Sequence, residues 1–211
     1  MTIDVRTDRP YRVTIEPGVL GRIGEIAAQH KKPGTKAMIV SETNVFPLYG
    51  ERAKASLEQA GFQVSAFVFP AGEEHKQIST ICDMYKALSE AGFTRTDFIV
   101  TLGGGVTGDM GGFAAATFLR GIDFFQAPTS LLSMVDASVG GKTGVDLPFG
   151  KNLVGAFHQP MAVAADTEAL RTLPDYFFRD GMGELIKHGC IADKQLFADL
   201  QAGAALHSLE E

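Results

Sequence analysis

Cysteine is nearly missing from this sequence, and the little present cannot build much. Its two cysteines, Cys82 and Cys190, lie far apart and form no C-x-x-C pair. That excludes a zinc knuckle and a disulfide framework, and it points to a reducing, cytoplasmic setting. Long apolar runs are missing too, so no segment reads as a membrane span. The opening Met1-Thr2-Ile3-Asp4-Val5-Arg6 lacks the apolar core of a secretion signal. Positive charge is in deficit: 19 basic residues against 25 acidic ones leave a net charge of −6. That balance argues against a nucleic acid or an anionic membrane as partner. An anionic small molecule would need positive charge gathered locally. No internal repeat or low-complexity tract is present. What remains is an ordinary globular composition, 45% hydrophobic over 211 residues, enough for one domain and the beginning of another. Glycine is not scarce. Its 24 residues cluster between Gly103 and Gly155, which marks recognition by backbone.

Strand and helix patterns alternate. Strands are read at residues 11–15, 37–40, 62–69 and 98–102, with a last one at 124–127. Helices are read at 21–30, 51–60 (capped by Gly61) and 78–91 (ending at Gly92). The order predicts an α/β fold, a Rossmann-like parallel sheet flanked by helices. Pro128-Thr129-Ser130 leads into an apolar helix through Asp136; residues 140–155 read as a loop-rich insert; after Leu173-Pro174 the chain reads as helical to its end. These patterns divide it into an α/β domain over residues 1–170 and the start of a helical domain over 171–211.

Gly103-Gly104-Gly105-Val106-Thr107-Gly108-Asp109 follows the strand at 98–102 and opens a helix rich in Ala and Gly. Strand, glycine turn and helix N-terminus together make an anion cradle, because backbone N–H groups point outward and the helix dipole favours negative charge. The same residues also suit a sharp turn with close helix–strand packing. Polar clusters at Glu42–Asn44, Glu73–Lys76 and Gly103–Asp109 all fall after strands, where ligands of parallel sheets sit. Thr129 and Ser130 suit either a helix cap or a diphosphate contact. Gly140-Gly141-Lys142-Thr143 is not a P-loop, since Asp136 stands where that motif needs glycine. Lys142, Lys151 and Asn152 could hold a phosphate. Glu184, Lys187 and His188 share a helical face, as a metal-binding set or a surface cluster. Of the histidines His30, His75, His158, His188 and His207, none pairs obviously with another. Asp123 has the spacing of a ribose-binding acid but the setting of a turn, so Glu42 and Asn44 are preferred for that task.

The segments Gly103–Asp109, Pro128–Asp136, Gly140–Asp146 and Gly150–Phe157, with Pro70–Lys76 and Gly181–His188, resemble the 3-dehydroquinate synthases. The resemblance runs from about Tyr11 to the C-terminus. It implies an NAD- and metal-dependent lyase that converts 3-deoxy-D-arabino-heptulosonate 7-phosphate to 3-dehydroquinate and phosphate, in the shikimate route to aromatic amino acids. It implies that Glu42 and Asn44 meet the adenosine ribose. Ala71, Gly72, Glu73, Glu74, His75 and Lys76 would line the NAD, with Gly105, Val106, Thr107, Gly108 and Asp109 at its diphosphate. Thr129, Ser130, Lys142, Lys151, Ala169, Leu170, Arg171 and Thr172 would complete the cofactor site. Asp136, Lys142, Asn152 and Lys187 would face the sugar phosphate, and Glu184 would bind zinc (or cobalt). Arg120 would reach the substrate of a neighbouring subunit in a homodimer. Members of this family are longer, and their other two zinc ligands are histidines in a further helical part; a chain with Glu184 alone is expected to bind NAD without normal turnover. Another sugar-phosphate cyclase, a metal-dependent polyol dehydrogenase and a non-catalytic NAD-binding module are the alternatives.

Overall fold

A computed structural model describes residues 1–203. Its centre is a seven-stranded sheet in the order β1-β2-β9-β6-β5-β3-β4. The strands are β1 (Thr2–Val5), β2 (Tyr11–Ile15), β3 (Lys36–Glu42), β4 (Gln63–Phe69), β5 (Phe98–Gly103), β6 (Asp123–Pro128) and β9 (Ala162–Ala165). All pairings are parallel except β1 with β2. Helices α1 (Ile23–Ala27), α2 (Phe46–Gln59), α3 (Ile78–Glu90) and α4 (Gly105–Thr117) connect them. A hairpin of β7 (Lys142–Leu147) and β8 (Gly150–Phe157) stands apart from the sheet, and α5 (Asp175–Ile191) and α6 (Lys194–Gln201) follow.

Every residue of β5 is buried, as expected of a parallel strand covered on both faces. Its side chains alternate between two cores. Phe98, Val100 and Leu102 join Leu20, Ile23 and Leu57 under α1 and α2. Ile99 joins Met84, Leu88, Met110 and Phe124 under α3 and α4. The period of two thus assigns one helix pair to each face.

Several expectations need correction. The predicted helix at 21–30 shrinks to Ile23–Ala27 after a 3₁₀ turn at Val19–Arg22. Its end folds back at once, with His30 and Lys31 N–H groups both donating to the Ala27 carbonyl at 2.9 Å. The helix expected at 51–60 begins earlier, at Phe46, with Pro47 in its first turn, where no N–H acceptor is needed. The strand at 124–127 is not the last, since β9 enters between β2 and β6. The insert at 140–155 is a hairpin rather than a loop. Its glycines serve close strand approach: a Cβ on Gly155 would lie 2.1 Å from the Thr143 carbonyl oxygen, and one on Gly144 2.6 Å from that of Val154. The helix leading through Asp136 contains a π-helical turn at Ser133–Ala137. The helical reading of residues 204–211, and His207 with it, lies outside the described residues. No helix among the described residues is long and apolar enough to cross a membrane.

Candidate functional site

The carboxyl ends of β3, β4, β5 and β6 open into one cleft of 780 Å³. Its floor is the start of α4. That helix has no side-chain cap, and its first closing bond runs from the Gly108 N–H to the Gly104 carbonyl at 3.1 Å. The N–H groups of Gly105, Val106 and Thr107 therefore have no acceptor within the helix, and their residues line the cleft. Free donors at the positive end of a helix dipole form an anion site. Gly108 lies beneath this floor, not in it. A Cβ there would stand 2.7 Å from Gln126 Oε1, so its smallness lets α4 sit down on β6.

Glu42 and Asn44 reach the same cleft from the end of β3. The Glu42 carboxylate accepts from the N–H of Asn44 at 2.7 Å and of Val45 at 3.0 Å, one oxygen to each, which holds the turn leading into α2. Ala71, Gly72, Glu73 and Lys76 follow β4 and line the neighbouring wall. Glu74 and His75 are not among the lining residues and lie 3.9 Å from each other. Thr129 and Ser130 close the side next to the glycine turn; the Thr129 N–H donates to the Gly103 carbonyl at 3.0 Å, and Ser130 Oγ meets Ser133 Oγ at 2.9 Å. Asp136 lines the cleft and pairs with Lys142 Nζ at 3.4 Å.

The hairpin stands at the rim. Lys151 Nζ pairs with Glu73 at 3.0 Å, and that hydrogen bond raises the lysine above its ordinary value. Lys76 is 5% exposed and donates to Asp109 Oδ2 and Asn152 Oδ1, both at 2.6 Å. Burial pushes the Asp109 carboxyl up, against the pull of Lys76.

Sequence reasoning missed the far wall. Val45 just before α2, Leu48 and Tyr49 on it, and Leu173 and Phe177 line the cleft together. The Tyr49 and Thr172 hydroxyls share a hydrogen bond, and Tyr49 Oη also donates to the Ala169 carbonyl at 3.3 Å. Of the 169–172 segment only Thr172 lines the cleft; Ala169 is buried, and Leu170 and Arg171 lie outside the lining. The signal available for α2 was its apolar face directly after Glu42–Asn44.

The remaining predicted residues are not part of the cleft lining. On α5, Glu184 is hydrogen-bonded by Lys187 and lies 3.5 Å from His188 Nε2. The Glu184 hydrogen bond raises the Lys187 ammonium, and the charge of Asp136 acts the same way; the first turns of the same helix line the cleft through Tyr176, Phe177 and Asp180. Among the described residues no three His, Cys, Asp or Glu side chains are grouped to hold a metal ion. A catalytic zinc needs about three protein ligands; the described donor set does not fit one, and no step is assigned to it. Arg120 lies past the C-terminus of α4, roughly 20 Å of helix from the glycine turn, in left-handed backbone with φ 68°. Asp123 sits at the opposite end of β6, hydrogen-bonded by Arg9 and paired with Lys31 at 2.7 Å.

Residues 66–180 match the family model described as "3-dehydroquinate synthase N-terminal". The 3-dehydroquinate synthase of Symbiobacterium thermophilum is 47% identical over 198 residues, covering 93% of this chain and 55% of that protein. The chain spans about half the length of the curated relatives it matches. Among solved structures, 2-epi-5-epi-valiolone synthase from Streptomyces hygroscopicus subsp. jinggangensis, with NAD+ and Zn2+ bound, superposes with a TM-score of 0.85 at 30% identity, over 97% of this chain and 56% of that one. A 2-deoxy-scyllo-inosose synthase complexed with carbaglucose-6-phosphate, NAD+ and Co2+ gives 0.82 at 29% identity, over 89% and 51%.

Proposed function

The chain belongs to the 3-dehydroquinate synthase family, and from that premise we propose that it forms the NAD-binding part of an enzyme converting 3-deoxy-D-arabino-heptulosonate 7-phosphate to 3-dehydroquinate and phosphate. The observation that carries this reading is the uncapped N-terminus of α4 in the floor of the cleft. Its three free amides suit a diphosphate, and 780 Å³ is room for a nucleotide-sized ligand. NAD, when bound, supplies a reversible hydride acceptor.

The residues divide the rest of the work. Glu42 keeps unused lone pairs beside its bonds to Asn44 and Val45 and accepts from ribose hydroxyls. Tyr49, Val45 and Leu48 give the apolar wall against which a base is sheltered from water. Lys142 and Lys151 gather positive charge at the rim of an otherwise acidic protein, which is what an anionic sugar phosphate requires. Asn152 adds directional hydrogen bonds there. Lys187 stands on α5, whose first turns line the cleft, and feels the charge of Asp136. Residues beyond about 170 start a second, helical unit in this proposal, with the cytoplasm as its setting.

Two measurements test the reading. Calorimetry should give one NAD per chain. A phosphate-release assay, set beside NADH accumulation with glycerol, separates the phosphate-eliminating cyclase from a polyol dehydrogenase. Heptulosonate phosphate should be the discriminating substrate for any form that turns over; absence of NAD binding would overturn the proposal.

A further inference from the structure

Lys76 sits where three separate pieces of chain meet. It follows β4 in sequence. Its ammonium is nearly sealed from solvent, and donates to Asp109 on α4 and to Asn152 on β8. Its carbonyl accepts from the Asp146 N–H of β7 at 2.8 Å, and the next residue, Gln77, bridges to Asp146. The Asp146 carboxylate in turn accepts from the Asn152 N–H at 2.7 Å. Asn152 has left-handed backbone, φ 56°, which few residues other than glycine adopt cheaply. Asn is among the few side chains suited to that conformation, and at Asn152 it is held from two directions, by the Asp146 carboxylate on its N–H and by Lys76 on its carboxamide.

The chemistry of the partners adds a constraint. An ammonium only donates, so the Asn152 atom facing Lys76 must be the carboxamide oxygen. That commits the amide's acceptor and leaves its NH₂ group, with two donors, turned away from Lys76. Asp109 balances the buried charge, so Lys76 can serve as a donor without presenting a bare cation to the cleft.

We propose that Lys76 is a positioning residue: held by Asp109, it fixes the β7–β8 hairpin at the rim of the cleft and sets the Asn152 carboxamide so that it offers hydrogen-bond donors to an oxygen-rich, anionic ligand. The inference rests on the proposed function only for the nature of that ligand. The clamp itself is a property of the ligand-free chain.

The test uses the 211-residue chain without nucleotide, so a failure to bind NAD would not be confused with a failure of the clamp. Amide hydrogen exchange is followed across residues 142–157 in five forms: native, Lys76→Met, Asn152→Gly, Asn152→Asp and the Lys76→Met/Asn152→Gly double variant, glycine being at ease in the left-handed backbone of position 152. Lys76→Met and Asn152→Gly should each speed exchange in the hairpin by at least about tenfold, the scale of a lost charge-assisted hydrogen bond. The double variant should be no worse than either alone, because both remove the same contact. Asn152→Asp keeps an acceptor for Lys76 and should retain the native protection. The Asn152 side-chain NH₂ resonances supply the second readout, and they should shift and broaden in Lys76→Met. Unchanged hairpin exchange in Lys76→Met, additive losses in the double variant, or unmoved Asn152 resonances would each overturn the proposal.

Discussion

Thr101 of β5 and Gly111 of α4 are packed so closely that a Cβ on Gly111 would stand 2.4 Å from Thr101 Cγ2. Helix and strand touch backbone to side chain here, directly beneath the cleft floor. Gly111→Ala is expected to cost about 1–3 kcal/mol in urea unfolding, as overpacking of a dense core does. Adding Thr101→Ser removes the clashing methyl while keeping the hydroxyl that donates to the Phe125 carbonyl at 3.3 Å. The pair should recover most of the loss.

The amide at Gly105 can be deleted without disturbing the helix. Proline is welcome at the first helical position. Gly104 before it is extended, with φ −75° and ψ −169°, as a residue preceding proline should be. The space for a Cβ at Gly105 is ordinary, 3.5 Å from Ala137 Cβ. Gly105→Pro should therefore leave the melting temperature nearly unchanged. NAD affinity by calorimetry should fall about tenfold or more, the contribution of one charge-assisted hydrogen bond.

Glu42 is predicted to hold two tasks that substitutions can separate. Glu42→Gln leaves one oxygen for two amides, of Asn44 and Val45, that now each have their own, and it loses the charge, so stability should fall partly while NAD affinity drops. Glu42→Ala should lose both tasks, with the missing turn bonds costing about 1 kcal/mol in unfolding. Equal melting temperatures for the two variants would contradict the turn-holding role.

Asp109 and Asp123 should respond to pH with opposite sign. For Asp123, burial raises the carboxyl, but hydrogen bonds from Lys31 and Arg9 outweigh it and hold the group below the usual carboxylate range. Its stabilisation is present above the unfolded value and is lost as pH falls through the lower folded value. For Asp109, burial wins over Lys76 and the folded value is raised. Its contribution is full below the unfolded value and fades as pH rises through the folded one. In urea titrations from about pH 2 to 7, Asp123→Asn should flatten the decline on the acid side, and Asp109→Asn the fall on the less acidic side.

Zinc should bind the 211-residue chain no more tightly than an isolated Glu–His pair on a helix, because the described residues group no third ligand. Cobalt substitution offers the check: an intense visible spectrum typical of a low-coordinate site would refute it.

How much of this was legible beforehand depended on range along the chain. Runs such as Phe98–Leu102 carry their own pattern, and the placement of polar residues after strands located the cleft. Ala162–Ala165 is short, small and featureless, so its insertion between β2 and β6 had no local signature. Thr2–Val5 is largely exposed and polar, which hid β1. Gly144 and Gly155 looked like loop residues because the strand each one must approach is visible only once paired. Tyr49 and Thr172 are joined by tertiary contact alone. The roles of Lys142, Lys151 and Lys187 came from motif resemblance, since a lone lysine in a sequence has no address.

The seam between β2 and β9 has a consequence for synthesis. Arg12 to Ile15 align with Ala162 to Ala165, and the Asp166 carboxylate then accepts from the N–H groups of Gly18 and Leu20. A nascent chain leaving the ribosome carries its first hairpin with one edge bare until residue 166 has emerged. Until β9 arrives the sheet is therefore in two pieces, the β1–β2 hairpin and the strands β3 to β6, and that single short strand joins them.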